Sequence, residues 1–226
     1  AGTPLHTLVL VDDYDEGARL YHARGPQGPL DVHVFDRDTF GLASGRRLLS
    51  RLRLRGATTR APSFTLRGAV EHRALQAFSL QWAGVTAPVP VAICDVGGVS
   101  AAIATTRVEG RTLREIGDGL TDEQARAVVQ MLLTLQQHRI AFRGFSRDTV
   151  AILPDGKAGL VATGDGDVGS DDLSQRTDAA RVMVMLALGM GAERAVQVAV
   201  QEAGAKFVSR TLPLLQPLAL GRALRL

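Results

Sequence analysis

The stretch HRIAFRGFSRDTVAILPDGKAGLVATGDGD, residues 138–167, decides how the rest of the chain is read. It opens where an apolar helical pattern ends, runs through a loop over 142–150, and turns at Asp155-Gly156 between two strand-like runs, Thr149–Leu153 and Ala158–Ala162. Asp-Gly flanked by apolar, β-rich residues predicts a hairpin over 149–162, because glycine accepts the positive φ that a tight turn demands. Helix, loop and hairpin therefore follow one another here.

Upstream of this stretch, Thr121-Asp122-Glu123-Gln124 is a capping box, with Thr121 over the helix N-terminus and Gln124 reaching back to it. The helix that follows carries apolar residues at 125, 128, 129, 132, 133 and 135 and ends near His138. Downstream, Thr177–Leu188 and Ala192–Ala203 read as further helices, and Lys206–Leu226 as a tail holding Pro213 and Pro217.

The first half reads differently. Leu5–Val11 and Ala18–Ala23 form a hairpin whose tip holds Asp12, Asp13, Asp15 and Glu16. The turn Gly25-Pro26-Gln27-Gly28-Pro29 leads to a third strand, Leu30–Phe35, in which Val32 and Val34 alternate with Asp31, His33 and Phe35, so that one face is expected to be buried. A basic, helical-looking insertion covers 42–55, either a membrane- or partner-binding surface or a solvated amphipathic segment. Thr65–Trp82 has apolar residues at 66, 70, 74, 77, 78 and 82, a helical recurrence, and two strands follow, Val91–Asp95 and Ser100–Thr106, joined at Gly97-Gly98. Residues 108–113 make a connector that contains Gly110.

Composition narrows the function classes. With 46% hydrophobic and 22% charged residues the chain is globular, and its strand and helix patterns together make it α+β, while 4% aromatic residues remove the stacking platforms of a single-strand nucleic-acid binder. The net charge of +3 comes from 26 basic and 23 acidic residues spread along the chain, so no nucleic-acid partner is expected. Cys94 is the one cysteine, which excludes an intramolecular disulfide and a cysteine metal site. The most apolar long run, Ala179–Val200, is interrupted by Arg181, Glu193 and Arg194 and reads as buried helices of a globular domain.

Strands, helix, strands, connector, helix, loop, hairpin and helices, in that order, resemble the two-lobed protein-kinase-like fold, with a small lobe over 1–107 and a larger, mainly helical lobe over 108–226. The resemblance assigns roles by position. A strand lysine of that family binds the nucleotide phosphates and pairs with a glutamate on the following helix; here His33 stands at the lysine position and Glu71 at the glutamate. His33 is then either a packed strand residue or a phosphate contact. The catalytic loop matches Phe142–Val150, where Gly144 replaces the proton-accepting aspartate and Thr149 the metal-binding asparagine. Ala162 falls where the second metal-binding aspartate belongs. Asp148 and Asp165 are the remaining carboxylates able to hold Mg²⁺ if the register shifts. Asp178 matches the helix aspartate that holds the catalytic-loop backbone in the family, and can equally favour its own helix dipole. The four carboxylates at the first hairpin tip oppose a triphosphate by about 1 kcal/mol per close pair even in water.

More narrowly, Val32–Asp38, Glu71–Leu75, Gly110–Leu113, Leu212–Pro217 and Leu220–Arg225 resemble the amino-terminal kinase-like domain of actinobacterial flippase-like, lysylphosphatidylglycerol-synthase-type membrane proteins. The replaced positions His33, Gly144, Thr149 and Ala162 imply an inactive pseudokinase without a cofactor, and the resemblance implies that it serves as a regulatory or protein-interaction module on the cytoplasmic face of the plasma membrane. Its partner would be a protein or the transmembrane region of its own chain, in a protein handling lipids or cell-envelope precursors. An atypical ATP-dependent phosphotransferase using Glu71, Asp148 and Asp165 is the alternative. A further one is a binder of anionic membranes through Arg46, Arg47, Arg51, Arg53 and Arg55.

Overall fold

The computed structural model describes residues 6–15, 18–36, 65–96, 99–163 and 166–215, and divides the chain into two compact units. Residues 1–78 and 88–107 make the first, residues 79–87 and 108–226 the second. The basic insertion with Arg46, Arg47, Arg51, Arg53 and Arg55, the Gly97-Gly98 turn, Asp165 and the tail from 216 lie outside the described residues.

The first unit is built on a five-stranded antiparallel sheet. Its strands are β1 (Thr7–Asp15), β2 (Ala18–Gly25), β3 (Gly28–Asp36), β4 (Pro90–Val96) and β5 (Ser100–Thr106), ordered β1-β2-β3-β5-β4. Gly28 closes the β2–β3 turn at φ +103, a conformation that an L side chain resists, and pairs with Gly25. Between β3 and β4 the helix α1 (Leu66–Trp82) starts at Thr65, whose hydroxyl accepts from the Gly68 amide at 3.1 Å.

Both faces of β3 are used, not one. Leu30 and Val32 cluster with Ala23 on one side, and Phe35 on the other packs with Ala18, Ala101, Ile103 and the α1 residues Val70 and Ala74. The helix lying on the Phe35 side is what the strand's own alternation does not reveal. Helix α1 is also turned slightly from its expected face. Val70, Ala74, Ala77 and Leu80 are its buried stripe, while Phe78 is 50% and Trp82 76% exposed.

The second unit is mainly helical. It contains β6 (Arg111–Thr112), α2 (Leu113–Ile116), α3 (Asp122–Gln137), β7 (Ile140–Ala141), β8 (Val150–Ile152), β9 (Ala158–Leu160), β10 (Asp167–Val168), α4 (Asp172–Met190), α5 (Ala192–Ala203) and α6 (Ala205–Thr211). The capping box of α3 forms in both directions between Thr121 and Gln124, and Ala125, Val128, Val129, Met131, Leu132 and Leu135 are its buried residues. These pack with Phe142, Phe145, Leu160, Val182, Met185 and Leu186 into one core. The hairpin forms as β8–β9, one or two residues shorter at each outer end than the pattern suggests, with Gly156 at φ +82 in its turn. Helix α4 begins at Asp172 rather than Thr177, because Asp171 caps it by accepting from the Ser174 amide at 2.8 Å. Among the described residues no helix is long and apolar enough to cross a membrane.

Candidate functional site

The loop between β7 and β8 is held from below by one carboxylate. Asp178, in the second turn of α4 and almost fully buried, accepts from the Phe142 amide at 2.6 Å and from the Arg143 amide at 3.0 and 3.1 Å. Burial pushes its pKa up to about 6, and Arg181 together with the two loop amides pulls the other way without overcoming it. Arg181, one helical turn on, lies 3.6 Å from Asp178 and donates to the Arg143 carbonyl.

Arg143 is the hub of this loop. Its backbone is left-handed at φ 57, which costs a non-glycine residue roughly 1–2 kcal/mol. The amide bonds to Asp178 and the carbonyl bond from Arg181 hold that conformation. Its guanidinium adds an ion pair to Asp167 of β10 at 2.7 Å and donates to the Ser174 hydroxyl at 3.1 Å. Backbone and side chain of one arginine thus tie the loop to both β10 and α4. Phe142 and Phe145 anchor the same turn, packed edge to face with centroids 5.0 Å apart.

The remaining polar groups of the loop turn inward or onto a neighbour. Thr149 Oγ1 donates to the Gly144 carbonyl at 2.8 Å and accepts from the Ser146 amide at 3.0 Å, so its oxygen serves the loop itself. Asp148 is clamped by Arg114 of α2, which donates to both carboxylate oxygens, the second at 2.8 Å. The Arg114 amide also donates to the Arg147 carbonyl at 2.9 Å. Gly144 brings no side chain, and Ala162 follows the hairpin with a methyl group. Only residues 161–171 connect β9 to α4, and β10 within them pairs with β7. Among the described residues, no group of three or more His, Cys, Asp and Glu side chains is placed to hold a metal ion.

In the first unit, His33 of β3 lies on the α1 side of the sheet and its pKa is pulled down to about 4. Burial is the largest cause, followed by the positive charge of Arg73, with Asp31 opposing. The imidazole is therefore neutral near pH 7. Glu71 does not face β3. It stands exposed on α1, paired with Arg67 one turn earlier at 2.8 Å. The charged α1 residue that does meet β3 is Arg73, 4% exposed, with its guanidinium 5.0 Å from the centre of the Phe35 ring. At the far end of β3, Asp31 takes Arg107 at 2.7 Å and His22 at 2.8 Å.

Three of these residues, Arg73, Arg143 and Arg181, are not singled out by motif spacing. Arg73 had a signal: a cation inside the buried stripe 70, 74, 77 is unusual and implies a partner. Arg181 stands three residues after Asp178 and so on its side of α4. The left-handed turn at Arg143 has no sequence signal of its own.

No family model matches the chain, and no curated protein matches it in sequence. Among solved structures it is similar to vaccinia related kinase 3, with a TM-score of 0.50 and 11% identity over 99% of this chain and 87% of that one. At that identity the likeness speaks to the fold alone. The fold is kinase-like: an antiparallel sheet in the amino-terminal part and helices after it.

Proposed function

We propose that the chain is a kinase-like domain without phosphoryl-transfer activity, with 1–107 and 108–226 as its lobes, and that it acts by binding or regulating a partner. The observation that carries this reading is the state of the loop Phe142–Thr149. Its scaffold bonds to Asp178 and Arg181 are in place, while its one carboxylate, Asp148, is clamped by Arg114 and the base position holds Gly144. A general base has to reach the hydroxyl proton it removes, and glycine has nothing with which to reach. A neutral His33 also lends no charge to a triphosphate. The short connection 161–171 leaves little chain to hold a peptide substrate.

The test is transfer of labelled γ-phosphate from ATP, with Mg²⁺ or Mn²⁺, to the chain itself and to general protein substrates. No incorporation above a heat-treated control is expected. Incorporation abolished by Asp148→Asn would favour the rival, an atypical phosphotransferase built on Glu71, Asp148 and Asp165.

From the sequence resemblance, the domain belongs on the cytoplasmic face of a polytopic membrane protein that handles lipids or cell-envelope precursors. Its partner is then another protein or that protein's own membrane region. Contact with anionic lipid through Arg46, Arg47, Arg51, Arg53 and Arg55 is the other course. Flotation with phosphatidylglycerol vesicles at low and high salt distinguishes them, since only the lipid contact predicts salt-sensitive binding by the isolated chain.

A further inference from the structure

Strand β1 is an outer strand of the sheet, and four consecutive residues on it are apolar and bare: Leu8 54%, Val9 61%, Leu10 46% and Val11 49% exposed. Neighbouring residues of a strand point to opposite faces, so both sides of this edge are apolar. Leu8 and Leu10 stand beside their β2 partners Ala23 and Tyr21, extending the Ala23, Leu30 and Val32 cluster out to the edge. An open edge with apolar residues on both faces is a template for another strand.

We propose that β1 pairs with β1 of a second copy of this chain, antiparallel about a two-fold axis at Val9, joining two sheets into one. Charge complementarity argues for a second copy. The start of the strand is basic, with His6 before it and the exposed Arg24 paired to Thr7, and its far end is acidic by sequence, with Asp12, Asp13 and Asp15. An antiparallel two-fold lays each acidic end beside the basic end of the other copy, whereas a parallel pairing lays acid on acid.

The register follows from the same pattern. Facing residues across a two-fold edge must present their backbone in the same phase, so the axis falls on a residue and not between two. With the axis at Val9, Leu8 faces Leu10 of the second copy on either side of a Val9–Val9 pair. With the axis at Leu10, Val9 would have to face Val11, which lies inside the irregularity between Leu10 and Asp12. The irregularity between Leu10 and Asp12 limits the regular stretch to Thr7–Leu10.

Sedimentation of the chain over a concentration series is expected to show a monomer–dimer equilibrium, and Val9→Lys to leave a monomer with an unchanged circular dichroism spectrum and Tm. Cysteine cross-linking reads the register. In a Cys94→Ser background, Val9→Cys is expected to give a disulfide-linked dimer under mild oxidation, because residues facing each other across an antiparallel pair are within disulfide reach. Leu8→Cys, which faces Leu10 and not itself, is expected to cross-link far less. A chain monomeric at every concentration overturns the proposal and leaves β1 to an occupant other than a second copy. So does a dimer indifferent to Val9→Lys, or equal cross-linking at the two positions.

Discussion

Replacing Asp178 by alanine removes the acceptor for two backbone N–H groups, those of Phe142 and Arg143, and the counter-charge of Arg181. Each buried donor left without an acceptor costs about 1–3 kcal/mol. Breaking one side of a buried charge pair costs about 3–5 kcal/mol by a separate line of evidence. The two estimates overlap, and a loss of about 3–5 kcal/mol is therefore expected for Asp178→Ala. Asp178→Asn keeps one oxygen able to take both amides but sets an NH₂ group near Arg181, so roughly half that loss is expected. The assay is guanidinium denaturation at pH 7 followed by far-UV circular dichroism and by the fluorescence of Trp82, which packs edge to face on His138 with centroids 4.8 Å apart in the same unit. A loss below about 1 kcal/mol for the alanine variant would mean that the loop does not depend on Asp178, and the scaffold argument would fall.

Further outcomes follow from individual groups. Burial raises the folded-state pKa of Asp178 from 3.8 to about 6, so the stability linked to its protonation is fully present below about pH 4 and is lost as pH rises through about 6, while the ionised group keeps its loop hydrogen bonds at pH 7. For His33 the value falls from 6.5 to about 4, so its contribution is present above about pH 6.5 and is lost as pH falls through about 4. The two slopes oppose each other between about pH 4 and 6. Asp178→Asn is expected to leave stability rising with pH across that window, and His33→Gln to leave it falling; the same slope in both variants would contradict the assignment. Thr149→Val strips the Ser146 amide and the Gly144 carbonyl of a partner and is expected to cost about 1–2 kcal/mol in the same denaturation assay. Arg73→Met is expected to shift the His33 titration upward in an NMR pH series, since one of the two effects holding it down is removed.

The parts legible in the sequence are those with local causes. The Asp155-Gly156 turn, the Thr121/Gln124 capping box and the two-residue alternation of β3 each act within a few residues, and the structure has a hairpin, a helix start and a strand there. The order of such elements is enough to reach a kinase-like fold. What escapes the sequence depends on partners far along the chain. The buried face of α1 is set by the sheet it meets, which turns Phe78 and Trp82 outward although both fit the apolar recurrence. Helix α4 starts five residues before its apolar pattern because a capping aspartate, not a hydrophobic residue, begins it. At the site, Gly144 and Thr149 are readable by position, but that Thr149 bonds its own loop, that Asp148 belongs to Arg114, and that Arg73 rather than Glu71 meets β3 follow from packing alone.

We propose that this kinase-like fold keeps its frame and has lost its nucleotide chemistry. Calorimetric titration of the chain with ATP, in the presence and absence of Mg²⁺, tests it most directly. No magnesium-dependent heat of binding is expected; a saturable, magnesium-dependent isotherm would show that the nucleotide chemistry is retained.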